Sequence, residues 1–327
     1  MDASARVRYP STGQGGPRLV LKFALLGHPV AHSRSPEMLA AALRALGVPG
    51  VYVPCDVTPG DLGKAVHGLL ALGFRGANVT LPHKVAALTL VGSSSERARL
   101  AGAANVLTFQ KGAVLADNTD VTGAVAALRE AGCDPRGQTA VVIGSGGAAR
   151  AVAVGLALAG ARSITVVART GASAERVAAV VRKLNVATRG GGDASRPVYR
   201  EAARRPAPSA IEARSLEWTH PEARDAFAQA TIVAQTTSCG MTGGPSWVPL
   251  LTHAPPSWLR PGAFAMDAVY TPQETAWLAA ARDAGLVAVD GVGMLVHQGA
   301  EALRSWLAAE PPIAVMRQAV EKALVTG

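Results

Sequence analysis

The chain has 327 residues, of which 49% are hydrophobic and 17% charged, and these proportions are typical of a folded protein rather than a disordered one. Aromatic residues make up only 4% of the chain, so we expect a core built from Ala, Val and Leu. The formal net charge of +9 attracts phosphates and carboxylates, but it is dispersed and lacks interleaved aromatic residues. We therefore expect no nucleic-acid partner.

Other classes of protein are also disfavoured. The chain contains no run of about 18 uncharged apolar residues, so we expect no membrane-spanning helix. Residues 1–17 are polar and rich in glycine, and we interpret them as a flexible leader that lacks the hydrophobic region of a secretory signal. Three scattered cysteines, Cys55, Cys133 and Cys239, argue against a disulfide framework and against a metal site. These features favour a reduced, cytoplasmic protein.

The first 120 residues predict strands that alternate with helices. Strands are predicted at 19–26, 51–54 and 76–79. The first helix is predicted to start with Ser35 as N-cap and Pro36 after it, and to end near 46 with Gly47 as the C-terminal cap. Further helices are predicted from Thr58-Pro59 to near 73 and from Pro82. Residues 104–109 and 114–116 flank Lys111-Gly112 and predict a hairpin at the sheet edge.

The second part of the chain repeats the alternation. A helix is predicted at 119–131, and the strands that follow are predicted at 139–143, 163–168, 231–235 and 263–268. Helices are predicted after the glycine-rich turn to 158, at 174–184, from Pro272 to 284, and twice more at the end. Residues 185–210 lack periodicity, and we expect a mobile surface loop. The fold class is therefore a two-domain α/β protein whose boundary falls within the 119–131 helix.

The segment Gly144–Ala149 is the strongest local motif. It follows a predicted strand and opens a predicted helix, which is the context of a dinucleotide-binding turn. Gly144 permits the tight turn, Gly146 lets the backbone approach a pyrophosphate, and Ala149 allows close packing of the helix on the strand. The helix N-terminus supplies N–H donors and a partial positive charge. We expect cofactor contacts from Gly144, Ser145, Gly146, Gly147 and Ala148.

The end of the next strand indicates which dinucleotide binds. An acidic residue there would accept a hydrogen bond from the ribose 2′-OH of NAD, whereas arginine would pair with the 2′-phosphate of NADP. The sequence carries Arg169 and Thr170 and no acidic residue at this point, so we expect NADP. The alternative is that Arg169 is an ordinary exposed arginine in an arginine-rich chain.

Three other motifs carry polar groups that chemistry could use. Ser33 and Ser35 precede a helix, where hydroxyls and backbone N–H groups can hold a carboxylate, although helix capping alone would explain Ser35. Lys84 falls in the first turn of a predicted helix, where the helix dipole disfavours a cation, so stability explains it poorly. In Asp117-Asn118-Thr119-Asp120, capping by Asp117 or Thr119 and a favourable dipole at Asp120 would suffice as an explanation.

The order of these motifs resembles the shikimate dehydrogenase family, from about residue 22 to 310. The matching segments are GHPVAHSRSP, GANVTLPHK, LAGAANVL, DNTD, IGSGGAARA, TTSCGM, DAVYTPQET and DGVGMLVHQGAEAL. The resemblance implies NADP-linked interconversion of 3-dehydroshikimate and shikimate in aromatic amino acid biosynthesis. It also implies a substrate domain at 18–119 that is completed by residues 293–327, with a Rossmann domain at 120–292 between them.

The resemblance also implies roles for individual residues. Lys84 and Asp120 match the family's catalytic pair, with Lys84 as general acid and base and Asp120 positioning both substrate and Lys84. Ser33 and Ser35 match the serines at the substrate carboxylate, and the matches to other substrate contacts are Thr80, Asn105, Tyr270 and Gln298. Gly291 and Met294 match cofactor-binding positions.

Some positions depart from the family pattern. Leu39 and Ala40 replace a usual His-Asn pair inside a helix, and Ala116 replaces a usual glycine. Ala168 replaces an asparagine before the strand-end arginine, and Ser173 replaces a second basic residue, which weakens the expected selectivity for NADP.

Two other functions stay open at this point. The chain could be a quinate or aminoshikimate dehydrogenase, although serine at both Ser33 and Ser35 favours shikimate. It could also be a non-catalytic NADP-binding regulatory protein, although such a protein would need neither Lys84 nor Asp120. A monomer and a homodimer are equally compatible with the sequence.

Overall fold

The computed structural model describes residues 20–189 and 210–326, and they form two six-stranded sheets with helices packed around them. The predicted leader at 1–17 lies outside the described residues. The prediction of a two-domain α/β fold is confirmed.

The first sheet is mixed, with strand order β2-β1-β3-β5-β6-β4. Its strands are β1 (Leu21–Gly27), β2 (Gly50–Asp56), β3 (Gly76–Val79), β4 (Ser93–Ser94), β5 (Val106–Gln110) and β6 (Ala113–Asp117). The helices that connect them are α1 (Ser35–Ala45), α2 (Leu62–Ala71, after a 3₁₀ turn at Pro59–Asp61), α3 (Lys84–Thr89) and α4 (Glu96–Ala101). Strands β1, β2 and β3 are parallel, as the alternation of strands and helices predicts.

The predicted hairpin is present. Strands β5 and β6 pair in antiparallel register, and the turn residues Lys111 and Gly112 both have positive φ, which suits a two-residue hairpin loop. The hairpin is not at the sheet edge, because β5 pairs with β3 and the two-residue strand β4 pairs outside β6.

The second sheet is entirely parallel, with strand order β12-β11-β10-β7-β8-β9. Its strands are β7 (Thr139–Ile143), β8 (Ser163–Ala168), β9 (Glu212–Glu217), β10 (Ile232–Gln235), β11 (Phe264–Asp267) and β12 (Val287–Val289). Its helices are α5 (Asp120–Glu130), α6 (Gly147–Leu158), α7 (Gly171–Arg189), α8 (Glu222–Gln229), α9 (Val248–His253) and α10 (Ala276–Asp283), with a 3₁₀ turn at Pro256–Trp258. This is the doubly wound order of dinucleotide-binding folds, and its crevice lies where the order reverses, between β7 and β10.

The last two helices, α11 (Gly291–Leu307) and α12 (Ile313–Thr326), pack back against the first sheet. Trp306 of α11 is fully buried and stacks on Phe23 of β1, with 5.0 Å between ring centroids. The indole N–H of Trp306 donates to the carbonyl of Leu107 at 3.1 Å. Met316 of α12 belongs to the same hydrophobic core as Met38 of α1. The chain therefore leaves the first sheet, builds the second, and returns.

The structure corrects several predicted helix boundaries. Helix α3 begins at Lys84 rather than at Pro82. Ser35 is the first residue of α1 rather than its cap, because the first hydrogen bond of the helix runs from the Met38 amide to the Arg34 carbonyl. Helix α7 runs from Gly171 to Arg189, so it begins before the predicted start at 174 and extends past the predicted end at 184. The predicted loop at 185–210 is therefore wrong over its first five residues, and its remainder at 190–209 lies outside the described residues. Helix α10 begins at Ala276 rather than Pro272, since Thr275 caps it by accepting from the Leu278 amide.

Several short elements were not predicted from the sequence. They are β4, α4, β9, α8, α9 and β12, none longer than eight residues. Short elements of this kind carry too few positions for a periodic pattern to identify them. Within the described ranges, the helices are too short or too polar to cross a bilayer.

Candidate active site

A cleft of about 380 Å³ lies between the two sheets and gathers most of the predicted site residues. Both parts of the fold contribute to its walls. From the substrate set it is lined by Ser33, Ser35, Thr80, Lys84, Asn105, Asp120, Tyr270 and Gln298. From the cofactor set it is lined by Gly146, Gly147, Ala148, Gly291 and Met294. Gly144, Ser145, Arg169 and Thr170 lie outside this lining.

Lys84 and Asp120 form an ion pair at the centre of the cleft, with 2.7 Å between Nζ and Oδ2. Lys84 is the first residue of α3 and Asp120 is the first residue of α5, so two helix N-termini bring the pair together. The Lys84 side chain is 19% exposed and that of Asp120 only 4%. Both residues line the cleft, and the carboxylate is the more deeply buried of the two.

Asn105 holds the second oxygen of Asp120. Its Nδ2 donates to Asp120 Oδ1 at 2.9 Å and also lies 3.2 Å from Oε1 of Gln298, while its Oδ1 accepts from the Thr119 amide at 2.7 Å. The alternative in which Thr119 or Asp117 merely caps α5 is wrong, because no side chain in the described part of the chain caps this helix. The Asp120 carboxylate is thus oriented by Lys84 of α3 and by Asn105, which directly precedes β5.

Three hydroxyls gather at the other end of the cleft. Ser33 Oγ accepts from the Ser35 amide at 3.3 Å, and the Tyr270 phenol contacts the Ser33 side chain and the Arg34 amide. Burial raises the pKa of the Tyr270 phenol, with the Ser33 and Arg34 contacts acting in the opposite direction, so the phenol is protonated at neutral pH. This end of the cleft therefore offers neutral O–H donors, which suit a carboxylate.

Two buried residues, Tyr52 and Asn78, link this cluster of hydroxyl side chains to Asn105. The sequence did not identify them as site residues. Tyr52 Oη donates to Oδ1 of Asn78 at 2.9 Å, and Nδ2 of Asn78 donates to the carbonyl of Asn105 at 3.3 Å. The available signal was a polar residue within the fully buried strand β3.

Glycines allow the elements of the site to approach one another. A Cβ at Gly147 would lie 2.9 Å from Cβ of Lys84, so this glycine lets the N-terminus of α6 contact the lysine. A Cβ at Gly123 would lie 2.9 Å from Cβ of Gln298, so α5 and α11 touch at that point. The Lys84–Asp120 pair is therefore placed directly beside the N-terminus of α6.

The turn between β7 and α6 fits a dinucleotide pyrophosphate. Gly144 has a φ of +124°, which favours glycine, and a Cβ there would lie 2.6 Å from Oγ1 of Thr236. A Cβ at Gly146 would meet no atom within 4 Å, so the backbone is open to a ligand on that side. Among the described residues no side chain caps α6, so its first N–H groups keep no side-chain acceptor, and Gly147 and Ala148 line the cleft.

Comparison with known proteins identifies the family. Residues 25–107 match the model of the shikimate dehydrogenase substrate binding domain, and residues 291–321 match that of the shikimate 5′-dehydrogenase C-terminal domain. The shikimate dehydrogenase (NADP(+)) of Moorella thermoacetica is 42% identical over 303 residues, which is 92% of each chain. The chain belongs to the shikimate dehydrogenase family.

Solved structures of the family have the same fold. The shikimate 5-dehydrogenase of Thermus thermophilus, in complex with NADP(H) and shikimate, gives a TM-score of 0.73 at 31% identity and covers 93% of this chain and 100% of that one. The quinate dehydrogenase of Corynebacterium glutamicum, in complex with NAD, gives a TM-score of 0.75 at 28% identity. The match covers 93% of this chain and 99% of that one. Members of this fold thus differ in both ring acid and cofactor.

A buried carboxylate organises two loops of the cleft in this member of the family. Asp267, at the end of β11, accepts from Thr275 Oγ1 at 2.7 Å, the Val269 amide at 2.9 Å and Gln235 Nε2 at 3.1 Å. Gln235 in turn accepts from the Thr237 amide at 2.5 Å. The cluster therefore fixes the segment that leads to Tyr270 and the segment that follows β10.

Asp267 gives a pH-dependent stability that can be measured. Burial raises its pKa to about 6, against the hydrogen bonds from Thr275, Val269 and Gln235 that act to lower it. The folded state then binds this proton more tightly than the unfolded state, so stability falls as pH rises from about 4 to about 6 and stays low above that. The difference of about 2 from the usual pKa corresponds to about 3 kcal/mol.

The measurement compares urea unfolding of the natural chain and the Asp267→Asn variant between pH 4 and pH 7. The difference in free energy of unfolding between the natural chain and the variant should fall by about 3 kcal/mol from pH 4 to pH 7, since the asparagine does not titrate. Thr275→Val should move the midpoint to higher pH, because it removes a donor that lowers this pKa. A difference that is constant with pH would contradict the prediction.

Proposed function

We propose that this chain catalyses the reversible NADP-dependent reduction of 3-dehydroshikimate to shikimate, with Lys84 and Asp120 as the catalytic pair. The observation that carries the proposal is the position of this pair. It lies between a group of hydroxyls suited to a carboxylate and the N-terminus of a dinucleotide-binding helix, all within one cleft. The Moorella thermoacetica relative is a shikimate dehydrogenase (NADP(+)), and the Thermus thermophilus enzyme is in complex with NADP(H) and shikimate.

The chemistry requires one proton for each hydride. NADPH, when bound, supplies the hydride to the ketone carbon of 3-dehydroshikimate. The carbonyl oxygen then takes a proton from Lys84 Nζ, and in the oxidative direction the neutral amine takes it back from the shikimate hydroxyl. Asp120 contacts Lys84 Nζ and, we infer, a neighbouring ring hydroxyl, so it orients both partners of the proton transfer.

The substrate is held at both ends. Ser33, Ser35 and Tyr270 donate to its carboxylate, and Thr80, Asn105 and Gln298 contact its ring hydroxyls. These are neutral donors and acceptors, and a site built to hydrogen-bond a substrate hydroxyl rejects an analogue that lacks it. The arrangement therefore provides selectivity through geometry rather than charge.

The cofactor is held by the second sheet. The turn formed by Gly144, Ser145, Gly146, Gly147 and Ala148 would hold its pyrophosphate, Arg169 and Thr170 would hold its 2′-phosphate, and Gly291 and Met294 would contact it from α11. We assign residues 18–119 and 293–327 to the substrate domain and 120–292 to the cofactor domain. We further propose a cytoplasmic enzyme, either monomeric or homodimeric, that binds neither membrane nor nucleic acid.

The experiment that tests this function follows reduction of NADP⁺ and NAD⁺ by absorbance, with shikimate, quinate and aminoshikimate as substrates. Shikimate with NADP⁺ should give the highest kcat/KM. Turnover of a sister acid without turnover of shikimate would contradict the substrate assignment and direct attention to the Ser33 and Ser35 pocket. Binding of NADP⁺ without turnover of any acid would favour the regulatory alternative.

Arg169→Ala is expected to raise KM for NADP⁺ by about 10-fold or more, with kcat nearly unchanged, because a charge-assisted contact with the 2′-phosphate acts equally in ground and transition states. KM for NAD⁺ should change little. The Glu217 carboxylate contacts the Gly171 amide at 3.4 Å, so a negative charge already lies beside this turn and makes the arginine more important.

Arg162→Ala is the matched control for this prediction. Arg162 precedes the opposite end of β8, where it donates to Thr139 Oγ1 at 2.8 Å, so its loss removes the same charge far from the turn. Equal rises in KM for NADP⁺ in the two variants would contradict a specific contact at Arg169.

A further inference from the structure

Arg97, in the first turn of α4, lies outside the cleft but makes a buried ion-pair network behind it. Its side chain is 15% exposed. Its Nε donates to Asp117 Oδ1 at 2.7 Å and its Nη2 donates to Asp117 Oδ2, which is a two-point contact with one carboxylate. Its Nη1 donates to Glu301 Oε1 at 3.2 Å. One guanidinium therefore joins α4, the end of β6 and α11.

Asp117 stands at the point where β6 leads into the segment that carries Asp120. Its Oδ1 also accepts from Ser95 Oγ and from the Asn118 amide, and its carbonyl accepts from the Asn105 amide at 3.0 Å. Burial acts to raise the pKa of the Asp117 carboxyl, but Arg97, Ser95 and the Asn118 amide together hold it below its usual value. Asp117 is thus a charged anchor three residues before Asp120.

Glu301 stands one helical turn after Gln298 on α11. Gln298 Oε1 faces Nδ2 of Asn105 at 3.2 Å, and the same Nδ2 donates to Asp120. Residues three apart on a helix share a face, so a contact that fixes Glu301 also fixes the face that carries Gln298.

Taken together, these contacts close a loop of interactions. Arg97 contacts Asp117 on one side and Glu301 on the other. Asp120, three residues after Asp117, and Gln298, three residues before Glu301, both contact Asn105. This ring of contacts connects the segment 117–120 with α11. The two are distant in sequence, and without Arg97 only the packing of their other side chains would align them.

We propose that Arg97 is a positioning residue for the reaction: its guanidinium sets the Asp120 segment and α11 at the separation at which Asn105, Asp120 and Gln298 act together. This inference rests on the proposed function of Lys84 and Asp120. Arg97 lies outside the cleft that holds substrate and cofactor, so its removal should change the relative positions of Asp120 and Gln298 rather than remove a contact with either ligand. An error of about 1 Å in such geometry costs on the order of 10²-fold in rate.

The test compares Arg97→Ala, Arg97→Lys and the matched control Arg317→Ala. Arg317 also bridges helices through a carboxylate, Glu130 Oε2 at 2.5 Å, but at the far end of α5 from Asp120. Arg97→Ala should lower kcat by on the order of 10²-fold with KM for NADP⁺ unchanged. Low concentrations of guanidinium ion should restore part of kcat. The Arg97→Lys variant should retain little of the lost kcat, since lysine lacks the planar fork that contacts both oxygens of Asp117.

A milder variant separates positioning from folding. Glu301→Gln keeps the two-point contact with Asp117 and weakens the Arg97 link to α11, together with the Glu301–Arg304 pair within that helix. KM for shikimate should therefore rise more than kcat falls. Thermal unfolding of each variant gives the folded fraction at the assay temperature. Loss of kcat in Arg97→Ala equal to its unfolded fraction, or equal loss in Arg317→Ala, would overturn the proposal, as would an unchanged kcat.

Amide hydrogen exchange gives a readout that does not depend on turnover. Exchange of peptides covering 117–120 and 295–301 should be faster in Arg97→Ala than in the natural chain, and unchanged in Arg317→Ala. If the natural chain turns over no ring acid, the proposed function fails, and the exchange result then decides by itself whether Arg97 fixes these two segments. Unchanged exchange in Arg97→Ala would overturn the proposal in either case.

Discussion

Replacing Lys84 with alanine is expected to lower kcat for shikimate oxidation by about 10²–10⁴-fold, the range that a general acid or base contributes. KM for shikimate should change much less, because the substrate keeps its contacts at the carboxylate and the ring hydroxyls. The loss should appear in kcat and kcat/KM to a similar degree, as expected for an interaction made in the transition state. Absorbance of NADPH under saturating shikimate and NADP⁺ measures the effect.

Lys64→Ala provides the matched control. Lys64 also pairs with an aspartate, Asp61 at 2.9 Å, but its side chain is 84% exposed on α2 and lies outside the cleft lining. The same charge is therefore removed without removing a proton donor from the site. A Lys84→Ala variant that retains kcat within a few-fold of the Lys64→Ala value would refute the role of Lys84 in proton transfer.

Replacing Trp306 with alanine is expected to lower the free energy of unfolding by about 3–5 kcal/mol, the usual cost of truncating a fully buried tryptophan. The indole packs between α11 and the first sheet, stacks on Phe23, and donates to the Leu107 carbonyl. A Cβ at Gly76 would lie 2.2 Å from its Nε1, so the surrounding backbone has formed closely around this ring. Urea unfolding at neutral pH measures the change.

The control for this prediction is Trp247→Ala. Trp247 is 44% exposed and precedes α9, where truncation should change the free energy of unfolding by less than about 0.5 kcal/mol. A loss below about 1 kcal/mol in Trp306→Ala would mean that α11 is not held to the first sheet by this side chain. In that case the return of the chain would depend on α12 and its contacts with α1.

The sequence predicted the parts of the fold that local rules determine. The turn at Gly144 follows from an apolar strand pattern, a run of glycines and a helix start within a few positions, and the hairpin follows from two strand patterns that flank Lys111-Gly112. The positive φ at Gly144, Lys111 and Gly112 agrees with both turns. Lys84 could be singled out because a cation at a helix N-terminus has no local benefit. The family resemblance then supplied partners for these residues that local rules do not give.

Residues whose role depends on distant contacts could not be predicted. Tyr52 was an ordinary alternating position in a strand, and its bond to Asn78 joins residues 26 positions apart. Arg97 was one of many arginines, and its contact with Glu301 spans 204 positions. Asp267 lay inside a strand predicted at 263–268, but its burial depends on how β10, β11 and the Thr275 turn pack together. Such contacts follow from tertiary packing, which periodicity does not describe.

The return of the chain to the first sheet has a consequence for how the protein is made. Synthesis is vectorial, and domains ordinarily fold as they emerge from the ribosome. Here the strands of the first sheet emerge well before α11 and α12, so the surface around Phe23 and Met38 must wait for Trp306 and Met316 while the whole second sheet is translated. The second sheet is free to fold first. The nascent chain therefore gains a place for its cofactor before it gains a finished pocket for its substrate, and during that interval it exposes an apolar surface on which chaperones could act.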